Sequence, residues 1–423
     1  MCASPASGED LAATLGEACE RFGVPGAQLG LLTGGRSDVL CAGVRTIGED
    51  ARVERETPFH VGSIAKSLAA TLVLDAAERG ELDVDGRADE QGVAGWKDTL
   101  RALMSHTSGR PQAVADAGER IEDFVARVGA LPRAHRAGLF SYSNAVWSVI
   151  ELVLLHATGR DFEQLARERL LDRLGIDAHF GMPPDAAAAH AIARPGALAD
   201  AVALREARAA SAAGARWWAT ADDLLALAEM HLRGGAGIVG RGVVEEQRRT
   251  HVSIPDRSFA DGWALGWATW QRGEYRAVGW NGSTLGHHAA VRIYPEQQAA
   301  LALVTNSAGP LFGGAGGAAL LDDILPVALQ SLGVPPPQSP AGANAAAPRP
   351  AAELAGTYGF ATVAARGYDA VVLTAPPLGV GTQTAFARAY ANTFTAWPAR
   401  PGGVPITFAE GLLYVGPLAV ART

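Results

Sequence analysis

Only two of the 36 basic residues are lysines, Lys66 and Lys97, so the position of each is informative. Lys66 closes the tetrad Ser63-Ile64-Ala65-Lys66 at the head of an apolar, helix-patterned run. Residues three apart share a helix face, which lets the Lys66 amine reach the Ser63 hydroxyl. A serine hydroxyl is a poor nucleophile until a neighbouring base takes its proton, and a partly desolvated lysine can do that. The helix N-terminus adds positive potential, which helps to lower the lysine pKa and favours charge developing at the serine. Ser-x-x-Lys alone is a weak signal, but Tyr142-Ser143-Asn144 follows on a turn before another helix pattern. Tyr142 can shuttle the proton, and Asn144 can hydrogen-bond both Lys66 and a substrate carbonyl. A second Tyr-x-Asn, Tyr390-Ala391-Asn392, is set aside because it lies beyond a Pro/Ala-rich linker.

The elements that must hold these groups form a mixed pattern. Gly26 to Val44 predicts two short strands about a Gly-Gly-Arg-Ser turn. Helices are predicted over Ser63–Arg79, Trp96–Met104, Ile121–Val128, Asn144–His156 and Phe162–Leu174, and from Thr220 with acidic residues in the first turn. Past Asp261 the texture turns to strands: Trp263–Trp270, Tyr275–Trp280, His287–Pro295 and Ala299–Ser307. A helix-rich middle between strand-rich ends predicts an α+β domain over residues 1–333, its antiparallel sheet built from both ends of the chain and its helical lobe at about 81–215. Residues 334–352 form the linker, and 353–423, with strand patterns at Asp369–Thr374, Thr393–Pro398, Val404–Phe408 and Leu412–Gly416, predict a small antiparallel β domain.

Composition excludes several classes. With 48% apolar and 19% charged residues the chain can bury a large core, which rules out disorder for most of its length. A net charge of −8 without a block of like charges argues against a nucleic-acid or membrane partner. Cys2, Cys19 and Cys41 form no CxxC pair and leave an odd thiol, so neither a disulfide framework nor a cysteine zinc site is expected. The first sixteen residues have neither a basic nor an apolar signal region, so a cytoplasmic location is expected, and no run of residues suits a membrane helix. His287 and His288, on one strand, would face opposite ways and suggest no metal site. His106 reads as a loop-fixing residue. The Gly-rich run 309–317 lacks a Gly-Lys-Ser/Thr and reads as a connecting loop, so no cofactor is expected.

Several segments together carry a family resemblance. They are Pro58–Ser63, Leu103–Gly109, Phe140–Asn144, Ala219–Leu224 and Ala264–Trp267, in that order. From about Val24 to Asn306 the chain resembles the serine β-lactamase and penicillin-binding-protein superfamily, in particular its class C β-lactamase, D-alanyl-D-alanine carboxypeptidase and family VIII esterase branch. The resemblance implies an α/β sandwich with a helical lobe, the site between them, and Ser63, Lys66 and Tyr142 as catalytic residues. It also implies an oxyanion hole made by the amides of Ser63 and Ser283. The family's third motif, Lys-Thr-Gly or His-x-Gly, is matched by Trp280-Asn281-Gly282-Ser283. Gly282 is kept and the cation is lost. That cation helps β-lactamases and D,D-peptidases to bind a terminal carboxylate, and Trp280 cannot replace it. His287, His288 and Arg292 remain as candidates to restore the charge. The expected activity is therefore acyl transfer through Ser63 from an ester or thioester to water or an amine in bacterial secondary metabolism. The expected partners are small molecules, with Asn144, Trp280, Gly282, Ser283 and His287 binding substrate. A D-amino-acid-specific peptidase or amidase, a weak β-lactamase and a catalytically silent binding protein are the alternatives.

Overall fold

The computed structural model describes residues 8–422 apart from 117, 203–210, 212, 312, 339–347, 376–379, 391 and 397–399. Cys2, the middle of the linker and the end of the strand predicted over Thr393–Pro398 lie outside the described residues.

The central sheet has eight antiparallel strands. Across it they run Arg36–Gly43, Gly26–Thr33, Ala299–Thr305, His288–Tyr294, Tyr275–Ser283, Ala268–Arg272, Gly262–Trp263 and Val252–Ser253. The two ends of the catalytic domain meet where Ala27 pairs with Thr305. Ala299–Thr305 is buried on both faces, which accounts for its unbroken apolar run. Its side chains alternate between two cores. Ala300, Ala302 and Val304 face Leu225 and the nucleophile helix, while Ala299, Leu301 and Leu303 face helices Gly8–Phe22 and Gly316–Ser331.

The helical lobe includes Leu100–Met104, Ile121–Ala130, Val146–Thr158 and a helix from Phe162 that continues through a π turn at Arg167–Leu171. The first of these is shorter than its pattern predicts. Thr99 is its N-cap, accepting the Ala102 N–H, and pairs with Arg87 in a β-bridge, so Trp96–Asp98 stay outside the helix.

Gly356–Ala421 forms a second eight-stranded antiparallel sheet with neighbours in chain order, richer in strands than the sequence pattern shows. A bridge between Tyr358 and Arg422 joins its two edges, so the meander closes as a barrel. Alternation explains how the barrel docks. Leu413 and Val415 fill its interior, whereas Leu412 and Tyr414, one residue out of phase, pack beside Phe140 and Tyr142. Backbone bonds reinforce the contact: Tyr142 N–H to the Pro417 carbonyl at 3.0 Å and Val404 N–H to the Leu311 carbonyl at 3.1 Å. No helix among the described residues is long and apolar enough to cross a membrane.

Candidate active site

Ser63 lies in a 3-10 turn, Gly62–Ile64, that feeds helix Ala65–Glu78. The short strand Phe59–His60, paired with Trp218–Ala219, delivers the chain to this turn. Gly62 has φ +53°, a conformation that side-chain-bearing residues adopt with strain. A Cβ on Gly282 would lie 1.8 Å from the Val61 carbonyl oxygen and 3.0 Å from the Ser63 nitrogen, so the third-motif strand packs backbone to backbone against the nucleophile turn. Gly282→Ala must therefore displace that turn. A loss of about 10²-fold in kcat/KM is expected, since a misplacement near 1 Å costs that much. Parallel melting curves distinguish this local effect from unfolding.

The buried Lys66 amine donates to Ser63 Oγ at 2.9 Å and to the Gly214 carbonyl at 2.7 Å. It also lies over the Tyr142 and Trp147 rings, 5.3 and 6.0 Å from their centroids. Burial lowers its pKa from 10.5 to about 7, so a large fraction is neutral near pH 7 and able to accept a proton. Burial pushes the Tyr142 phenol upward, with the neighbouring Ser63 and Trp280 offsetting part of the effect. Tyr142 is therefore a protonated relay at neutral pH rather than a tyrosinate base. Its hydroxyl faces those two residues without forming a hydrogen bond.

The Tyr142 loop is pinned from two sides. On one side His106 stacks on its ring at 4.3 Å, accepts the Ser143 N–H through Nδ1 at 3.2 Å, and gives its carbonyl to Ser141 N–H. His106 holds φ +56°, and burial, aided by Lys66, keeps it neutral. On the other side is the Pro417 carbonyl of the barrel. The loop-fixing role expected of His106 agrees with this geometry.

The oxyanion arrangement follows from strand alternation. Thr284 N–H bonds the His287 carbonyl, so the next pair inward, Ser283–His288, is a non-bonded pair. The Ser283 N–H thus points out of that ladder toward the turn, where a Cβ on Gly62 would lie 3.1 Å from it. Ser63 and Ser283 amides can converge on a developing oxyanion from this arrangement.

Two expectations are corrected. Asn144 does not bond Lys66: its side chain is exposed and its backbone N–H donates to Gln112, while the Gly214 carbonyl takes the place beside the amine. His287 does not face the cleft. It is wedged between Phe59, His60 and Trp218, its Nε2 3.1 Å from the Ala187 carbonyl, because it belongs to the turn before the strand and projects to the opposite side from His288. Burial lowers His287 to about 3 and His288 to about 4, so neither restores the missing positive charge near neutrality.

Ser63, Tyr142, Trp280, Ser283 and His288 open into a cavity of roughly 660 Å³ whose far wall includes barrel residues Gly402–Pro405, Gly416 and Pro417. The Gly-rich loop contributes Gly309–Leu311 to the same cavity. Of the tryptophans, Trp217, Trp218, Trp263 and Trp267 are core, while Trp270 and Trp280 line the cleft. Gly214 and Pro417 had no sequence signal, since each acts through its backbone carbonyl.

The Beta-lactamase family model matches residues 11–325. Penicillin-binding protein 4 of Amycolatopsis lactamdurans is 27% identical over 379 residues, covering 79% of this chain and 93% of that protein. SurE superposes with TM-score 0.77 at 26% identity over 98% of each chain, and SurE with D-Leu gives 0.73 at 25%, over 98% of this chain and 99% of that one. A class C β-lactamase from Rhodobacter sphaeroides shares the fold at TM-score 0.63 and 18% identity, over 76% of this chain and 97% of its own. A family match spanning the nucleophile turn, the Tyr142 loop and the third-motif strand accords with the geometry at Ser63, and the chain belongs to the Beta-lactamase family, whose members are serine hydrolases.

Proposed function

We propose that the protein transfers an acyl group from an ester or thioester, through Ser63, to water or an amine in the making of a bacterial secondary metabolite. Ser63 Oγ attacks the carbonyl carbon as its proton passes to neutral Lys66, and the oxyanion is held by the Ser63 and Ser283 amides. Collapse breaks the bond to the alkoxide or thiolate, which leaves with the proton returned from Lys66 through Tyr142. Water or an amine then attacks the acyl-enzyme, gives its proton to Lys66, and releases Ser63.

The observation that carries the substrate class is the wall beside the oxyanion site. The Trp280 ring lies 5.8 Å from Tyr142 and 4.5 Å from Trp263, and it occupies the place of the family's carboxylate-binding cation. Such a wall suits a scissile bond with no free carboxylate beside it. SurE solved with D-Leu supports a second reading, in which the acyl group or acceptor is a D-amino acid and D-aminoacyl amides are hydrolysed.

Initial rates on short p-nitrophenyl esters, with and without an added amine and with Ser63→Ala as blank, test the proposal. Serine-dependent p-nitrophenol release with amide formed in the amine samples is the expected result. D-Ala release from a D-Ala-D-Ala peptide outpacing ester turnover would replace it with the second reading.

A further inference from the structure

Among the described residues two arginines, Arg272 and Arg292, line the Ser63 cleft, and they differ in how their charge is met. Arg272 pairs with Asp261 at 3.2 Å. Arg292, only 7% exposed, has no ion pair among the described residues. Its guanidinium donates to the carbonyls of Trp280 and Val291 at 3.2 and 2.9 Å and to Asn281 Oδ1 at 2.7 Å. It stacks over Trp270 at 4.5 Å, with the Tyr275 phenol beside it. These contacts aim the fork without neutralising it. Asp322, the one carboxylate among the described residues of the cleft, takes the Gly402 N–H at 2.6 Å; burial pushes its pKa up, and that hydrogen bond and then Arg292 draw it partly back. A buried guanidinium that has a carboxylate in its field but none at ion-pair distance among the described residues is only partly compensated, and in a substrate cleft the substrate can supply the close partner.

We propose that Arg292 is a carboxylate-binding subsite of the Ser63 cleft. Its anchor Asn281 lies two residues from Ser283 on an extended strand, so the carboxylate it reads sits about 7 Å along the cleft from the scissile carbonyl. This differs from a cation beside the bond and agrees with the Trp280 wall. The subsite rests on the acyl-transfer reading only for its part in turnover. The carboxylate belongs either to the acyl donor or to the amine acceptor.

Binding is tested first, in Ser63→Ala protein, by titrating glutaramate and the uncharged glutaramide and following tryptophan fluorescence. Glutaramate is expected to bind at least about tenfold more tightly, and Arg292→Gln in the same background to bring the two within a factor of two. Equal affinities with Arg292 present, or a preference surviving Arg292→Gln, overturn the proposal. Where Arg292→Gln fails to fold, Arg292→Lys, which keeps the charge but loses the fork, must reduce the preference. Turnover then assigns the source, comparing p-nitrophenyl glutarate monoester with p-nitrophenyl butyrate, and D-leucine with D-leucinamide as acceptors. An arginine-dependent preference for the charged donor or for the charged acceptor names it. No preference in either arm overturns a role in the reaction. Absence of p-nitrophenol release from every ester would fail the acyl-transfer reading and leave the binding result standing.

Discussion

Ser63→Ala is expected to lower ester turnover by at least about 10³-fold while the protein melts as the wild type does. The hydroxyl is half-buried in a turn whose shape is set by backbone, the Gly62 conformation and the Gly282 contact, so its removal leaves that shape unchanged. What remains is binding and oxyanion stabilisation by two amides that the substitution does not touch. A fluorophosphonate must label the wild type at Ser63 and spare the variant, and intact-mass spectrometry reads the adduct directly. The double variant Ser63→Ala/Lys66→Ala should be no worse than the single one, because the two residues act as a unit. An additive loss would mean that the amine acts somewhere other than on the serine.

Lys66→Ala should lower kcat/KM by about 10²–10⁴-fold, the range for removing a positioned base. The pH profile tells a base from a packing residue. With the folded pKa lowered to about 7 by burial, wild-type activity should rise as pH climbs through 7 and Lys66 loses its proton. The variant's residual activity should lack that limb. Stability gives an independent check. Between about 7 and 10.5 the unfolded chain holds a proton on Lys66 that the folded chain does not, so wild-type stability gains as pH rises across that window. Below it both states are charged and the burial cost is felt in full. Lys66→Met should therefore show its largest excess in Tm below pH 7, and the excess should shrink toward pH 10.5. Constant spacing between the two melting curves would mean that Lys66 titrates normally in the folded protein.

The sequence made legible what side chains specify at short spacing. The Ser63–Lys66 pair needed only helix geometry and Tyr142 a turn before a helix, whereas Gly282 came from the resemblance to the family's third motif, at a position where the structure leaves no room for a Cβ. That the sheet draws on both ends of the domain followed from strand-rich ends around a helix-rich middle, while the particular pairing of Gly26–Thr33 with Ala299–Thr305 is seen only in the structure. What escaped was carried by backbone. The Gly214 carbonyl that holds Lys66 leaves no mark in residue type, and it displaced Asn144 from the role its motif implied. His287 was misplaced because alternation says only that it and His288 face opposite ways; which of the two faces the cleft is decided by the Thr284–His287 turn and the packing of Phe59, His60 and Trp218 around His287. The barrel was recognised as β but undercounted: Gly356–Tyr358 has too few residues to show a period, and the eleven-residue strand Val380–Tyr390 carries no clean alternation of apolar and polar residue types. Its seat on the Tyr142 loop depends on which phase of Leu412–Val415 faces outward, which only the tertiary contact fixes.

The closure of the central sheet by strands from opposite ends of the catalytic domain has a consequence for biosynthesis. The strand Gly26–Thr33 is flanked on one side by its hairpin partner and on the other by Ala299–Thr305. While the chain is being translated that second side has no neighbour until residue 305 leaves the ribosome. At 5–20 residues per second this wait is roughly 15–60 s, during which an apolar hairpin edge is open to other chains. The barrel follows these strands in the chain, so it is synthesised onto a catalytic sheet that has only just become able to close. Recovery of folded protein should therefore depend on holdase capacity and on slow translation after residue 305, more than on the intrinsic stability of the finished molecule.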